Sequence, residues 1–235
     1  MKTLCTICMR GGSRQILNKN IKKINGKPLM YHTIRQAIKS KVFDLVMVST
    51  DSKQIYNFSR KFGAKAWYLR PKKLSTDSAP KLEVIKHSLL ESEKKYKTRF
   101  DVVFNLHVTS PLRTIEDIKK AYSKFLKEKT NQLISVSESN RNPYFNMVER
   151  KKKLISLVKN NAKKITRRQD APRVFDLNAS IYIWKRNFLL KSKKVINPKT
   201  SLYIMPKKRS IDIDDKFDWD LVEYIMKLKK KNKNF

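Results

Sequence analysis

The sequence predicts an α/β fold, an open and mainly parallel sheet with helices on both faces. Three observations predict it. β-rich runs alternate with helical patterns, several helical patterns carry recognisable start and stop residues, and no repeat of solenoid period interrupts the order. Such alternation builds right-handed βαβ units, and their ligands lie beyond the carboxyl ends of the strands. At 235 residues the chain is expected to form a single domain over 1–235.

The elements follow in order. A strand over 2–8 leads to a helix over 28–39 and a strand over 43–50. The next helix, 52–62, has Asp51 as its expected N-cap, Gln54 three residues on and Gly63 just past its end. A strand over 64–69, a helix over 79–96 and a strand over 101–108 come next. Thr114-Ile-Glu-Asp117 forms a capping box before a helix over 114–127. Strands are predicted over 132–136, 180–184, 202–205 and 210–213, and a last helix over 217–230, with Asp218 as its N-cap. Residues 139–176 break the rhythm: they are polar and basic, contain Pro143 and Pro172, and lack a helical period. They predict a small β arm inserted in the domain. Residues 227–235 form a basic C-terminal tail expected to fray.

Composition narrows the function. No apolar run approaches the ~18 residues of a membrane helix, and Met1–Met9 ends without a small-residue cleavage site. A cytoplasmic protein with no membrane association is the expectation. Lys and Arg number 55 against 20 Asp and Glu, a formal net charge of +35. The cations are spread along the chain without an arginine–aromatic recognition segment, which favours solvated lysine-rich faces over nucleic-acid binding. Cys5 and Cys8 form a C-x-x-C, but three-residue spacing on a strand sends them to opposite faces, and no second pair exists for zinc.

Glycine is the sharpest local signal. The chain has only four, against roughly sixteen at the usual frequency of ~7%. Two of them, Gly11 and Gly12, follow the first strand directly. There they let backbone N–H groups approach an anion, and Arg10, Arg14 and Lys19 add positive charge. Phosphate binding is the reading; a plain strand-to-helix turn needs one glycine and no guanidinium cluster. The acids give a second signal. On a strand Asp212 and Asp214 share one face while Ile211 and Ile213 point inward. Two adjacent carboxylates in so basic a chain suggest a Mg²⁺ site beside phosphate.

Ile7-Cys-Met-Arg10-Gly-Gly-Ser13, Lys19-Asn20 and Asn25-Gly26-Lys27-Pro28-Leu29 resemble the opening of the CMP-sialic acid synthetases, the acylneuraminate cytidylyltransferases. Val48-Ser-Thr-Asp51, Leu69-Arg70-Pro71, Thr109-Ser-Pro-Leu-Arg113, Arg167-Arg-Gln169 and Ser210-Ile-Asp212-Ile-Asp214 follow in family order, so the resemblance spans residues 1 to about 226. It implies a Rossmann-like nucleotidyltransferase that couples CTP to a nine-carbon acidic keto-sugar of the N-acetylneuraminate, legionaminate or pseudaminate type. It implies Arg10, Gly11, Gly12, Ser13, Lys19, Asn20 and Arg70 around the nucleotide, with Lys19 and Arg10 catalytic. It also implies Mg²⁺ on Asp212 and Asp214, sugar contacts from His107, Arg168, Gln169 and Asn178, and a homodimer built through the arm. Two other readings compete: a 3-deoxy-manno-octulosonate cytidylyltransferase, and a basic nucleic-acid-binding module.

The chain departs from the family pattern at four places. Gln15 replaces a glycine, and His107 replaces a glutamine that commonly lies near substrate. His107 reads equally as a sugar-selecting residue or as a core-edge histidine. Lys81 stands where a small hydroxyl residue is common, which bears on cytosine selection, and Ala179 replaces a glycine.

Overall fold

Alternate side chains of the first strand enter different cores. In β1 (Thr3–Cys8), Leu4 packs into one apolar layer while Cys5 and Ile7 enter the other, as the two-residue period of a strand requires. Cys8 also leans on the layer of Leu4, so the C-x-x-C cysteines part to opposite faces as the spacing predicts. A computed structural model describes residues 1–12, 15–159 and 165–231. After β1 come β2 (Lys23–Ile24) and β3 (Lys27–Pro28), α1 (Leu29–Ser40), β4 (Leu45–Ser49), α2 (Lys53–Lys61), α3 (Lys81–Tyr96) and β5 (Val102–Leu106). The chain continues through α4 (Ile115–Lys127), β6 (Gln132–Glu138), β7 (Val148–Lys151), β8 (Leu154–Leu157), β9 (Phe175–Lys185), α5 (Arg186–Lys191), β10 (Ser201–Ile204) and α6 (Lys216–Lys231).

Six strands form the central sheet in the order β10-β6-β9-β5-β1-β4. β9 runs antiparallel to both β5 and β6, and the other pairs are parallel. Apolar residues of α1, α4 and α6 cover one face with Cys5, Ile7 and Phe104; those of α3 and α5 cover the other with Leu4 and Val103. The predicted three-layer α/β architecture is therefore present. Among the described residues no helix is long and apolar enough to cross a membrane.

Several elements differ from the sequence expectation. Residues 64–69 form only an isolated bridge, Met47 to Lys65. Residues 210–214 belong to no strand; a single ladder-like bond, Ile213 N–H to the Thr109 carbonyl at 2.8 Å, ties them to the segment that follows β5. The run at 180–184 extends back to Phe175 as the long antiparallel β9, so the arm ends before residue 175. Within the arm the hairpin β7–β8 is present. α5 and the small β2–β3 hairpin are additions; Asn25 (φ 48) and Gly26 (φ 79) both take positive φ between β2 and β3, the requirement of a two-residue type I′ turn. The N-cap of α2 is Ser52, whose hydroxyl accepts from Ile55 N–H, and not Asp51. At α6, Asp215 Oδ1 accepts the Asp218 N–H at 3.0 Å, and Asp218 Oδ2 accepts the N–H groups of Asp215 and Asp214. Asp215 is thus the cap and Asp218 its reciprocal partner. Residues 227–231 of the expected tail continue this helix.

The capping box of α4 has a second function. Asp117, 1% exposed, accepts from Thr114 and also binds Arg209 through Nε (2.9 Å) and Nη2 (2.8 Å) and the Tyr203 hydroxyl (3.1 Å). Burial pushes its pKa up, but the bonds from Arg209 and Thr114 outweigh burial and hold it below the ordinary carboxylate range. Asp117→Ala leaves Arg209 without its partner and is expected to cost about 3 kcal/mol in chemical denaturation. A depressed carboxylate stabilises the fold above its unfolded pKa and loses that contribution as pH falls through the folded value. Asp117→Asn therefore removes part of the acid limb of the stability–pH profile.

Candidate active site

The chain passes from β1 to β4 through α1, then crosses back through α3 to β5 on the other side of β1. Such a switch of direction opens a crevice at the carboxyl ends of the strands. A cleft of ≈ 440 Å³ lies there, lined by Cys8, Met9, Arg10, Gln15, Lys19, Asn20, His107, Val108, Thr109 and Asp214. A larger hollow of ≈ 920 Å³ opens at the opposite edge of the sheet, beside Met1, Asp101 and Lys185. It contains none of the predicted site residues.

The basic wall comes from the segment after β1. Arg10 projects from the end of the strand and pairs with Asp77. Asn20, buried, donates from Nδ2 to the Arg10 carbonyl at 2.9 Å, and so closes the loop that carries Lys19. The Gly11 N–H donates to Asp51 Oδ1 at 2.9 Å, which explains why Asp51 is not the helix cap. An amide predicted to hold phosphate thus holds a carboxylate of the protein itself. A Cβ on Gly11 would stand 3.1 Å from Ser52 Cβ, whereas one on Gly12 would meet nothing within 4 Å. Arg70, 7% exposed, donates to the Met9 carbonyl at 3.1 Å and to Ser75 Oγ at 3.2 Å, fixing the strand end from behind. Arg70 is not among the cleft-lining residues. Ser13 and Arg14 lie outside the described residues.

The acidic wall arrives from the far end of the sequence. Lys19 Nζ donates to the Ile213 carbonyl at 2.7 Å, between the two predicted metal ligands and 194 positions away along the chain. Asp214 lines the cleft. Asp212 lies deeper: burial and the neighbouring charge of Asp214 raise its pKa, against a Thr109 hydrogen bond and the charges of Lys19 and Lys81. Its Oδ1 is buried without a hydrogen-bond partner. The two acids lie close enough to feel one another even though no strand carries them. Among the described residues no cluster of three or more His, Cys, Asp or Glu forms.

Behind the acids two side chains, Lys81 and His107, meet the ring of Tyr182. Lys81, the first residue of α3, holds its Nζ 3.3 Å from the centroid of the Tyr182 ring. The His107 ring lies 5.5 Å from the same ring, tilted by 34°. Burial brings the Lys81 pKa down to about 7, with Cys8 and Asp212 opposing it. Burial, with the charges of Lys81 and Arg113, holds His107 well below its ordinary value, so its imidazole is neutral. His107 lines the cleft and also packs against Tyr182, so it stands at the boundary between the core and the cleft.

The remaining predicted residues stand apart. Asn178, 3% exposed, accepts from Ser135 Oγ (2.7 Å) and donates to Ser210 Oγ (3.0 Å). Its amide is used inside the protein, where it positions the segment leading to Asp212. Ala179 beside it has φ 46, in the left-handed region that a glycine occupies at less cost, so this departure carries strain of about 1 kcal/mol. Arg168 and Gln169 lie on the exposed arm and line a separate cleft with Glu138 and Pro172. Within one chain they do not meet Lys19 or Asp214.

Arg10, Lys19 and Asp214 thus line one crevice at the carboxyl ends of the strands, where open α/β sheets bind their ligands. The family model described as "Cytidylyltransferase" matches residues 4–235. This chain belongs to that family. The cytidylyltransferase is 42% identical over 226 residues to the CMP-N,N'-diacetyllegionaminic acid synthase of Campylobacter jejuni, covering 96% of this chain and 95% of that protein. It is 40% identical, over the same shares of both chains, to the post-translational flagellin modification protein B of Campylobacter coli. The solved structure of CMP:2-keto-3-deoxy-manno-octonic acid synthetase complexed with CTP superposes with a TM-score of 0.71 at 16% identity, covering 97% of this chain and 100% of that one. That likeness carries the fold alone. The family decides against the nucleic-acid-binding reading of the charge, and the 42% relative favours a nonulosonate synthase over the octulosonate alternative.

Sequence reasoning missed three contributors to the cytidylyltransferase site. Tyr182 reads as one more core residue of a strand, and only its place under Lys81 and His107 distinguishes it. Thr109 holds the acid-bearing segment twice, through its carbonyl to Ile213 N–H and through its side chain to the Asp212 carboxylate. Arg113, 1% exposed, bonds to Ser180 Oγ and carbonyl, Thr33 Oγ1 and Gln36 Oε1, and holds the β5 end against β9 and α1. The last arginine of the Thr109–Arg113 motif is therefore part of the frame.

Proposed function

We propose that this cytidylyltransferase couples CTP to a nine-carbon acidic keto-sugar, of the diacetyllegionaminic type first and the N-acetylneuraminic or pseudaminic type next, giving CMP-sugar and pyrophosphate. The observation that carries this reading is the Lys19–Ile213 bond, which brings the basic loop of the N-terminal strand against the acid-bearing segment on one cleft. The anomeric hydroxyl attacks the α-phosphorus, the new O–P bond forms as the hydroxyl proton is released to solvent, and the α–β anhydride bond breaks as pyrophosphate leaves. Protein groups serve this chemistry by positioning and by charge stabilisation.

Lys19 and Arg10 meet the negative charge that moves toward pyrophosphate. Asn20 and Arg70 hold the loop and the strand end that carry them. Mg²⁺ takes one or two carboxylates and completes its shell with phosphate oxygens and water. Asp212, with an unpaired buried oxygen, and Asp214, on the cleft, fit that donor set. When bound there, Mg²⁺ neutralises charge on the triphosphate. We also infer a homodimer in which the arm of each protomer offers Arg168 and Gln169 to its partner's cleft. The exposed apolar residues of the hairpin, Leu154 at 77% and Ile155 at 72%, support it. The need for CTP favours the cytoplasm as its compartment.

The test is pyrophosphate release with Mg²⁺ and N,N'-diacetyllegionaminic, pseudaminic or N-acetylneuraminic acid, repeated with GTP, UTP and ATP. Release is expected to require CTP, Mg²⁺ and one of the three acids. Release independent of sugar, or none with any of them, overturns the reading.

A further inference from the structure

Two departures from the family's motifs, Lys81 and His107, converge on a single ring. Lys81 Nζ lies over Tyr182, itself 5% exposed, and His107 packs beside the same ring. Among the described residues the contact of this ammonium is the Tyr182 ring, and no oxygen accepts a hydrogen bond from it, although it carries three donors. Asp212 is near enough for its charge to be felt. Yet Asp212 Oδ1 has no partner either, so the two opposite charges share a water-poor interior without a direct bond. A desolvated ammonium resting on a π face is completed by an anion. The triphosphate end of the cleft already has Arg10 and Lys19. His107 lines the cleft and Lys81 and Tyr182 stand directly behind it; an aromatic face and a neutral imidazole suit a carbon skeleton bearing one charge.

We propose that Lys81 is a specificity-determining residue that receives the carboxylate of the acidic keto-sugar, with Tyr182 and His107 as the wall beside it. This rests on the synthase reading above and adds the residue that selects an acid. The ammonium contacts the carboxylate through charge-assisted hydrogen bonds. No bond to carbon or phosphorus changes at this residue.

The experiment compares kcat/KM for the most active of the three sugar acids with that for its methyl ester, in the wild type and in Lys81→Met, which keeps an apolar stem on Tyr182. The wild type is expected to prefer the acid by at least 100-fold. Lys81→Met is expected to lose at least 30-fold with the acid, to change less than 3-fold with the ester, and to keep the KM for CTP within 3-fold. Lys81→Arg retains the preference for the acid. Lys81→Gln serves as the second neutral variant should thermal unfolding show that Lys81→Met is misfolded. An equal loss with acid and ester, or an effect confined to CTP, overturns the assignment while the synthase reading stands. No turnover by the wild type with any of the three acids sinks both.

Discussion

Asp212→Asn is expected to lower kcat by about 10²–10³-fold and to raise the Mg²⁺ concentration needed for half-maximal rate, with little change in thermal unfolding. The size follows from losing one of two carboxylates that hold a charge-neutralising cation, worth several kcal/mol in the transition state. The small effect on folding follows from the side chain itself. Among the described residues Asp212 Oδ1 has no partner, and burial and Asp214 already disfavour its charged form. A neutral amide of the same shape relieves that repulsion. Full activity in Asp212→Asn, with unchanged Mg²⁺ response, rules out the metal assignment. A large loss of stability instead marks the residue as structural.

Lys19→Ala is expected to reduce kcat by about 10²-fold while KM for CTP changes much less, the pattern of a group that meets charge present chiefly in the transition state. The lysine also bonds to the Ile213 carbonyl, so its removal loosens the contact between loop and acids. Lys19→Arg separates the two effects. It keeps the positive charge and a donor, but a planar guanidinium does not reproduce a compact ammonium. Partial recovery of kcat is expected. A loss confined to the KM for CTP contradicts the role given to Lys19.

Much of this was legible from the chain alone, because the relevant physics is local. The Thr114–Asp117 box starts its helix from side chains three residues apart, and the doublet Gly11-Gly12 announces itself by its rarity. What was not legible depends on partners distant in sequence. Asp51 looks like a cap until the Gly11 amide, 40 positions away, claims it. Residues 210–214 alternate like a strand, but a neighbour with free backbone groups is needed to make one, and only Thr109 supplies a bond. Asn178 looks ready for a ligand until Ser135 and Ser210 use both ends of its amide. Asp212 and Asp214 do lie near one another, although the strand argument for their proximity does not hold. A segment anchored at Ile213 brings them close without a ladder.

The reversed direction of β9 has a mechanical consequence. Its eleven residues leave the hairpin arm and reach the ligand edge of the sheet with Asn178 and Ser180, and Tyr182 follows on the same strand. The strand is not straight, however: its pairing with β6 shifts register between Leu177 and Tyr182, and Ala179 in that stretch has φ 46. A load applied at the Phe175 end of β9 therefore meets a bend before it reaches Ile181–Lys185, the run that pairs with β5.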